Sequence, residues 1–164
     1  MITIIAAVTA TGVVGSNNQL PWPPRSIPRD MPHFREQTVN ATVISGKKTS
    51  ESMGVLKNRR NIVISNTMNE TEGITIYSTL RESIAVEKFK NPDIFLLGGV
   101  GIWKEGIFLP DVKRAIITRV HATLEGDTYF PEEEFRQNFE LFYSQKWKED
   151  EPQLSASLEV WMRK

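Results

Sequence analysis

Between Leu20 and Phe34 the chain reads LPWPPRSIPRDMPHF, with five prolines, one tryptophan and a single acid, Asp30, set among Ile27, Met31 and Phe34. A carboxyl held in apolar surroundings resists ionisation. It can then share a proton network with a bound heterocycle, or favour positive charge that develops on a substrate. The same residue could instead cap a helix that begins at Met31, because a carboxylate accepts the free N–H groups of a first turn. The residues alone leave both readings open.

Two glycine-containing turns carry a second kind of chemistry. Gly46-Lys47-Lys48-Thr49 follows an apolar run, and its free N–H groups and two ammonium groups suit a phosphate. It is not a nucleoside-triphosphate loop, since Ala41 and Lys48 stand where that motif needs glycine and a hydroxyl residue; a solvated basic turn accounts for it equally well. Gly98-Gly99-Val100-Gly101, which leads into Ile102-Trp103, lets a diphosphate approach the backbone closely, although the full dinucleotide spacing is absent. Two such turns in one small sheet point to a dinucleotide across the strand ends. Lys47, Lys48, Thr49 and Ser65 offer positive charge and hydroxyls, which favours a 2′-phosphate and therefore NADPH over NADH.

The elements that must position these groups alternate. Strands are expected at Ile2–Val8, Ala41–Ser45, Asn61–Ser65, Ile74–Tyr77, Asp93–Leu97 and Arg114–His121, nearly continuous in Val, Ile and Leu as strands covered on both faces are. Helical patterns fall at Pro28–Thr38, Lys48–Met53 and Leu80–Phe89, the last opened by a Thr79/Glu82 capping box, and Glu132-Glu133-Glu134 reads as a solvated helix start. Phe139–Trp147 and Ser155–Met162 alternate as an antiparallel hairpin joined by Lys148–Gln153. The fold class is α/β: one domain over residues 1–164, with a mostly parallel mixed sheet of about eight strands and about four flanking helices.

Composition excludes several classes. Lysine plus arginine and aspartate plus glutamate both total 20, so no global field gathers nucleic acid or anionic membrane. Locally, Arg25 to Arg60 holds eight bases against three acids, and an anionic ligand is expected there. No cysteine is present, which rules out disulfides, thiolate metal sites and cysteine nucleophiles. His33 and His121 have no acid or second histidine at ligand spacing, and no Gly-x-Ser-x-Gly elbow occurs, so neither a metal nor a serine triad is expected. The apolar N-terminus lacks a basic leader and is too short to span a membrane. A cytoplasmic monomer is the expectation.

The ordered set Ile5-Ala6-Ala7, Gly15, Asn18-Gln19-Leu20-Pro21-Trp22, Asp30-Met31-x-x-Phe34-Arg35-x-x-Thr38, Gly46-x-x-Thr49, Arg59, Gly98-Gly99, Thr118 and Glu125-Gly126-Asp127-Thr128-x-Phe130-Pro131 resembles dihydrofolate reductase over nearly the whole chain. The resemblance implies NADPH-dependent reduction of dihydrofolate, with a hydride to C6 and a proton to N5, and sensitivity to antifolates. It makes Asp30 the acid that binds the pterin, with Thr118 behind it and Leu20 and Trp22 at the reacting centre. Ile5, Ala7, Met31, Phe34, Arg35, Met53 and Leu97 would line the substrate, and Arg59 would take its glutamate carboxylate. Gly15 to Trp22 would close over the nicotinamide. Ala7, Gly15, Asn18 and Leu20 would join Gly46 to Thr49, Ser65, and Gly98 to Trp103 in holding the cofactor, with a cis peptide at Gly98-Gly99.

Some residues depart from the family pattern. Trp103 stands where a tyrosine is usual, Lys47 replaces an arginine, His33 takes an aromatic position, and Gly106-Ile107 looks like an insertion. Val55-Leu56-Lys57-Asn58 lacks the usual prolines, which leaves Arg59 and Arg60 as rivals for one role, and Trp22 and Asp30 are unusually far apart. These differences suggest altered ligand affinity rather than another reaction. Two alternatives are a riboflavin-pathway pyrimidine reductase of the same fold and a folate-binding homologue without chemistry.

Overall fold

A computed structural model describes residues 1–147 and 153–164. In chain order the elements are β1 (Ile2–Thr9), β2 (Val13–Gly15), α1 (Asp30–Thr38), β3 (Thr42–Gly46), α2 (Lys47–Met53), β4 (Arg60–Ile64), β5 (Ile74–Tyr77), α3 (Leu80–Glu87), β6 (Ile94–Gly98), α4 (Val100–Ile107), β7 (Val112–Val120), β8 (Thr128–Tyr129), α5 (Glu132–Asn138), β9 (Phe139–Trp147) and β10 (Ala156–Arg163). Eight strands form one sheet in the order β5-β4-β3-β6-β1-β7-β10-β9. The neighbours from β5 to β7 are parallel, and β10 runs antiparallel to both β7 and β9.

The expected sheet is therefore present; Ile74–Tyr77 and Phe139–Trp147 keep their limits, and the other strands shift at an end by at most two residues. Among the described residues the helices are five rather than about four. Helix α1 begins at Asp30, not Pro28, and α3 ends at Glu87, leaving Phe89 exposed. Thr79 Oγ1 does accept the Glu82 N–H, as the capping pattern implies. The small β2–β8 ladder escapes the sequence patterns because each strand is too short to show a period. All of the expected hairpin loop but Gln153 lies outside the described residues.

Side-chain alternation along β1, β6 and β7 builds a core on each face of the sheet. Ile4, Ala6, Leu96 and Ile117 join the α3, α4 and α5 side, with Leu80, Ile107 and Phe135. Ile5, Phe95, Leu97 and Ile116 face the other way, where Phe34 of α1 lies against them. A third cluster, Trp22, Ile27, Val120, Trp147 and Ala156, closes the end where the proline-rich stretch crosses. Gly106 is no loose insertion: a Cβ there would lie 2.6 Å from Leu96 Cδ1, so the glycine lets α4 settle on β6.

Buried charge is paired. The Glu87 side chain is fully buried and meets Arg60 and Lys90. Arg119 meets Glu132 and Glu159, so Glu132 is an ion-pair partner and not only a solvated helix start.

Candidate active site

The register of β1 and β7 sets the centre of the site. Ala7 lies opposite Thr118, and both point to the face covered by α1. Thr118 Oγ1 donates to Asp30 Oδ1 at 2.9 Å. Asp30 is the first residue of α1, but the helix has no side-chain cap, its N-cap is Arg29, and the carboxylate is turned to β7 instead. Of the two readings open from the sequence, capping therefore fails. Burial pushes the Asp30 carboxyl above its ordinary value, and the Thr118 hydroxyl and His33 act in the opposite direction.

The longer connection between Trp22 and Asp30 folds as turns. Ser26 donates through its backbone N–H and its hydroxyl to Pro23 O, Arg25 takes a left-handed conformation at φ 64°, and Asp30 N donates to Ile27 O at 3.1 Å. Leu154 N donates to Ser26 O at 2.7 Å, which ties this connection to the start of β10. Trp22 itself is buried beside Ala7 and Trp147, whereas Leu20 is exposed.

Ile5, Leu97 and Phe34 share one cluster, and Met31, Met53 and Val55 are large apolar side chains left exposed. The two arginine rivals separate cleanly. Arg59 leans on α1, donating to Thr38 Oγ1 at 3.1 Å and to the Arg35 and Lys57 carbonyl oxygens, while Arg60 is committed to Glu87. Arg35 contributes its backbone oxygen to this arrangement; its side chain is exposed.

The two glycine turns meet. Ser45 of β3 lies against Gly98 of β6, and a Cβ on Gly46 would sit 3.9 Å from Gly99 N and 4.0 Å from Gly98 O. A Cβ on Gly99 would sit 3.5 Å from Thr49 Oγ1. The Gly98-Gly99 peptide is cis, as the resemblance implies. Beside these glycines Lys47 and Lys48 are exposed, and Thr49 and Ser65 carry hydroxyls, donors of a kind that could hold a phosphate group. Ser65 Oγ also accepts the Thr67 and Met68 N–H groups, which fixes its turn.

Trp103 is turned differently from its expected role. Its indole is 7 % exposed, donates from Nε1 to Leu96 O at 3.2 Å, and stacks beneath Gly98 on the core side against Phe130. Ile102 is also buried, near Gly46.

Sequence reasoning gave no role to one residue of the loop from Gly15 to Trp22 and its partner. Asp127 accepts the Asn17 N–H at 3.0 Å through Oδ2 and the Thr128 hydroxyl at 2.9 Å through Oδ1, and its own N–H donates to Gly15 O. The Asn17 N–H first, then Thr128, hold its carboxyl below the usual range. Asn17 and Asn18 both adopt positive φ, and Ser16 and Gln19 exchange backbone bonds, so the loop is folded back onto β8. His33 is the other omission. It lies one turn after Asp30, edge-on to Trp147 at 5.3 Å, and burial lowers its pKa.

Comparison with known proteins agrees with this geometry. The family model described as dihydrofolate reductase matches residues 1–163. The chain is 36 % identical over 151 residues to the dihydrofolate reductase of Haemophilus influenzae, covering 91 % of this chain and 89 % of that one. It is 33 % identical over 154 residues to that of Bacillus subtilis, covering 92 % and 87 %. A solved structure of dihydrofolate reductase from Enterococcus faecalis complexed with NADP(H) and RAB-propyl superposes with a TM-score of 0.84 at 30 % identity, covering 99 % of this chain and 96 % of the other.

Proposed function

The chain belongs to the dihydrofolate reductase family, and from that premise we propose which of its residues carry the reaction. The activity is NADPH-dependent reduction of 7,8-dihydrofolate to tetrahydrofolate, the carrier of one-carbon units. Neither a pyrimidine reductase nor a folate-binding protein without turnover is favoured by these matches.

Asp30 holds the pterin. Its carboxylate stands at the start of the helix that carries Phe34 onto Ile5 and Leu97, and Thr118 orients it from behind. Because burial makes ionisation unfavourable, Asp30 gains most when positive charge appears on the ring, which assists protonation at N5. Met31 and Met53 flank the benzoyl portion, and Arg59, its guanidinium plane fixed by Thr38 and two carbonyl oxygens, pairs with the glutamate carboxylate. NADPH supplies the hydride. Gly46, Gly99 and Gly101 leave space for its diphosphate, the missing Cβ of Gly98 makes room for the Trp103 indole, and Lys47, Lys48, Thr49 and Ser65 select the 2′-phosphate. The Gly15–Trp22 loop, clasped by Asp127, excludes water from the reacting atoms.

The Thr118–Asp30 hydrogen bond carries this reading, because it orients a carboxyl that the fold otherwise isolates. All these side chains come from one chain, so one copy suffices for turnover, and a cytoplasmic location belongs to the same proposal. The test follows NADPH absorbance with protein and dihydrofolate. Oxidation that methotrexate abolishes is expected; methotrexate binding without oxidation would overturn the assigned roles.

A further inference from the structure

His33 brings a titratable ring to a position where the family pattern has an aromatic one, and the reaction described above makes no use of it. It follows Asp30 by three residues on α1, so the two side chains leave the same face of the helix one turn apart. Thr118 of β7 holds the Asp30 carboxyl, while the His33 imidazole lies edge-on to Trp147 of β9, which clusters with Trp22 beside Ala7. His33 thus has the acid of the site as one neighbour and the apolar cluster around Trp22 as the other.

These surroundings select the uncharged ring. His33 Nε2 is buried and, among the described residues, meets no hydrogen-bond partner. An imidazolium donates from both nitrogens, so taking up a proton would leave a buried N–H with nothing to accept it. Burial acts the same way and lowers the pKa from its ordinary 6.5, with Asp30 and then Glu36 opposing it. Among the described residues, those two acids of α1 are the charges that act on the ring; β9 meets it with the uncharged Trp147, and β7 meets Asp30 with the uncharged Thr118. While His33 is neutral, the Asp30 carboxylate directs its charge to the pterin. An imidazolium one turn away would draw on the same carboxylate and repel the positive charge that protonation at N5 places on the ring. We propose that His33 is a positioning residue for the proton step: uncharged, it leaves the charge of Asp30 to the pterin, and by taking up a proton in acid it withdraws that charge and limits the reaction. The role rests on the assignment of Asp30 to the pterin.

A chain with only two histidines makes the test direct. The ring protons of His33, assigned with His121→Gln, should titrate in NMR with a midpoint below 6.5. Asp30→Asn should lower that midpoint further by about half a unit or more, because the carboxylate that favours the cation is gone. Single-turnover hydride transfer from about pH 8 down to about pH 5, the range in which an imidazole changes charge, supplies the functional arm. Relative to the unmodified protein, His33→Phe should gain rate as the pH falls, from near parity at the alkaline end to about threefold or more at the acid end. His33→Gln, polar but equally unable to carry charge, should do the same, whereas a ring that merely packs on Trp147 would make the two variants differ from each other by the same factor at every pH. His121→Gln is the control, since its exposed side chain bonds Ser157 instead, and it should leave the profile in place. An unmoved His33 midpoint in Asp30→Asn, or acid limbs in both His33 variants that overlay that of the unmodified protein, overturns the proposal. Retained turnover in Asp30→Asn overturns the assignment of Asp30 and the proposal with it; lost turnover leaves that assignment standing whichever way the His33 arms fall.

Discussion

Thr118 on β7 donates its hydroxyl to Oδ1 of Asp30 on α1 at 2.9 Å, joining residues 88 positions apart. Neither is placed by the other's local sequence; the bond exists because α1 lies across the face of β1 and β7. A hydrogen bond to a charged group is worth about 1.5–3 kcal/mol. Thr118→Val keeps the shape and removes the donor. The hydride-transfer rate near neutral pH should fall about tenfold, and the pH at which activity changes should move upward, because the ionised form of Asp30 loses its support. Single-turnover rates across pH check this; an unmoved profile would separate Thr118 from the chemistry.

Asp30→Asn should trade activity for stability. Burial raises the Asp30 carboxyl above 3.8 in the folded chain. Between that ordinary value and the raised one, the folded state holds more protons than the unfolded state, so stability falls as pH rises through the window. The ionised carboxylate is thus a burden at pH 7 that asparagine removes. Melting temperature should rise at pH 7, with no gain below the ordinary carboxylate range, while kcat falls by about 10²–10⁴. A variant that melts lower at pH 7, or keeps full turnover, contradicts the assignment.

Gly126→Ala probes the loop clasp. A Cβ there would land on Gly15 O, which is backbone and cannot swing aside, and on the Val13 side chain at Cγ1. The β2–β8 ladder must part, and with it the Asp127–Asn17 bond beside it. Overpacking of this kind costs about 1–3 kcal/mol. Hydride transfer should slow between about tenfold and about a hundredfold as the loop loses its position, with dihydrofolate affinity largely kept. Stopped-flow fluorescence and thermal melts separate the two effects.

Adjacent arginines should answer differently. Arg59→Lys should weaken dihydrofolate about tenfold and leave a pterin lacking the glutamate unaffected. Arg60→Ala leaves Glu87 buried without its guanidinium, and should lower stability by about 3 kcal/mol with little change in substrate affinity. Equilibrium binding and chemical denaturation read the two arms, and the reverse pattern would exchange their roles.

Trp103→Tyr should lower stability more than it changes antifolate affinity. The Trp103 indole fills core space beneath Gly98 and satisfies Leu96 O; a phenol of smaller volume loses contacts there, for about 1–3 kcal/mol. Inhibition constants and melting curves on the same preparation decide it.

Much of the molecule was legible before its structure. Continuous apolar runs announce buried parallel strands whatever follows them, because strands covered on both faces tolerate little else. Thus β1, β3, β6 and β7 stand out, as do Gly46 and Gly98-Gly99 at strand ends. The ordered motifs then named the family. Direction and pairing were not legible. Whether Asp30 caps α1 or faces the sheet is decided by its bond to Thr118; which of Arg59 and Arg60 is tied up is decided by Glu87; and the direction of the Trp103 indole is decided by its packing under Gly98. The reason is physical. Local sequence fixes period and propensity over a few residues, while the partner of each buried polar group is chosen by contacts between segments far apart in the chain. Asp127 and Asn17, 110 positions apart, become a clasp only when the fold brings β8 beside the loop.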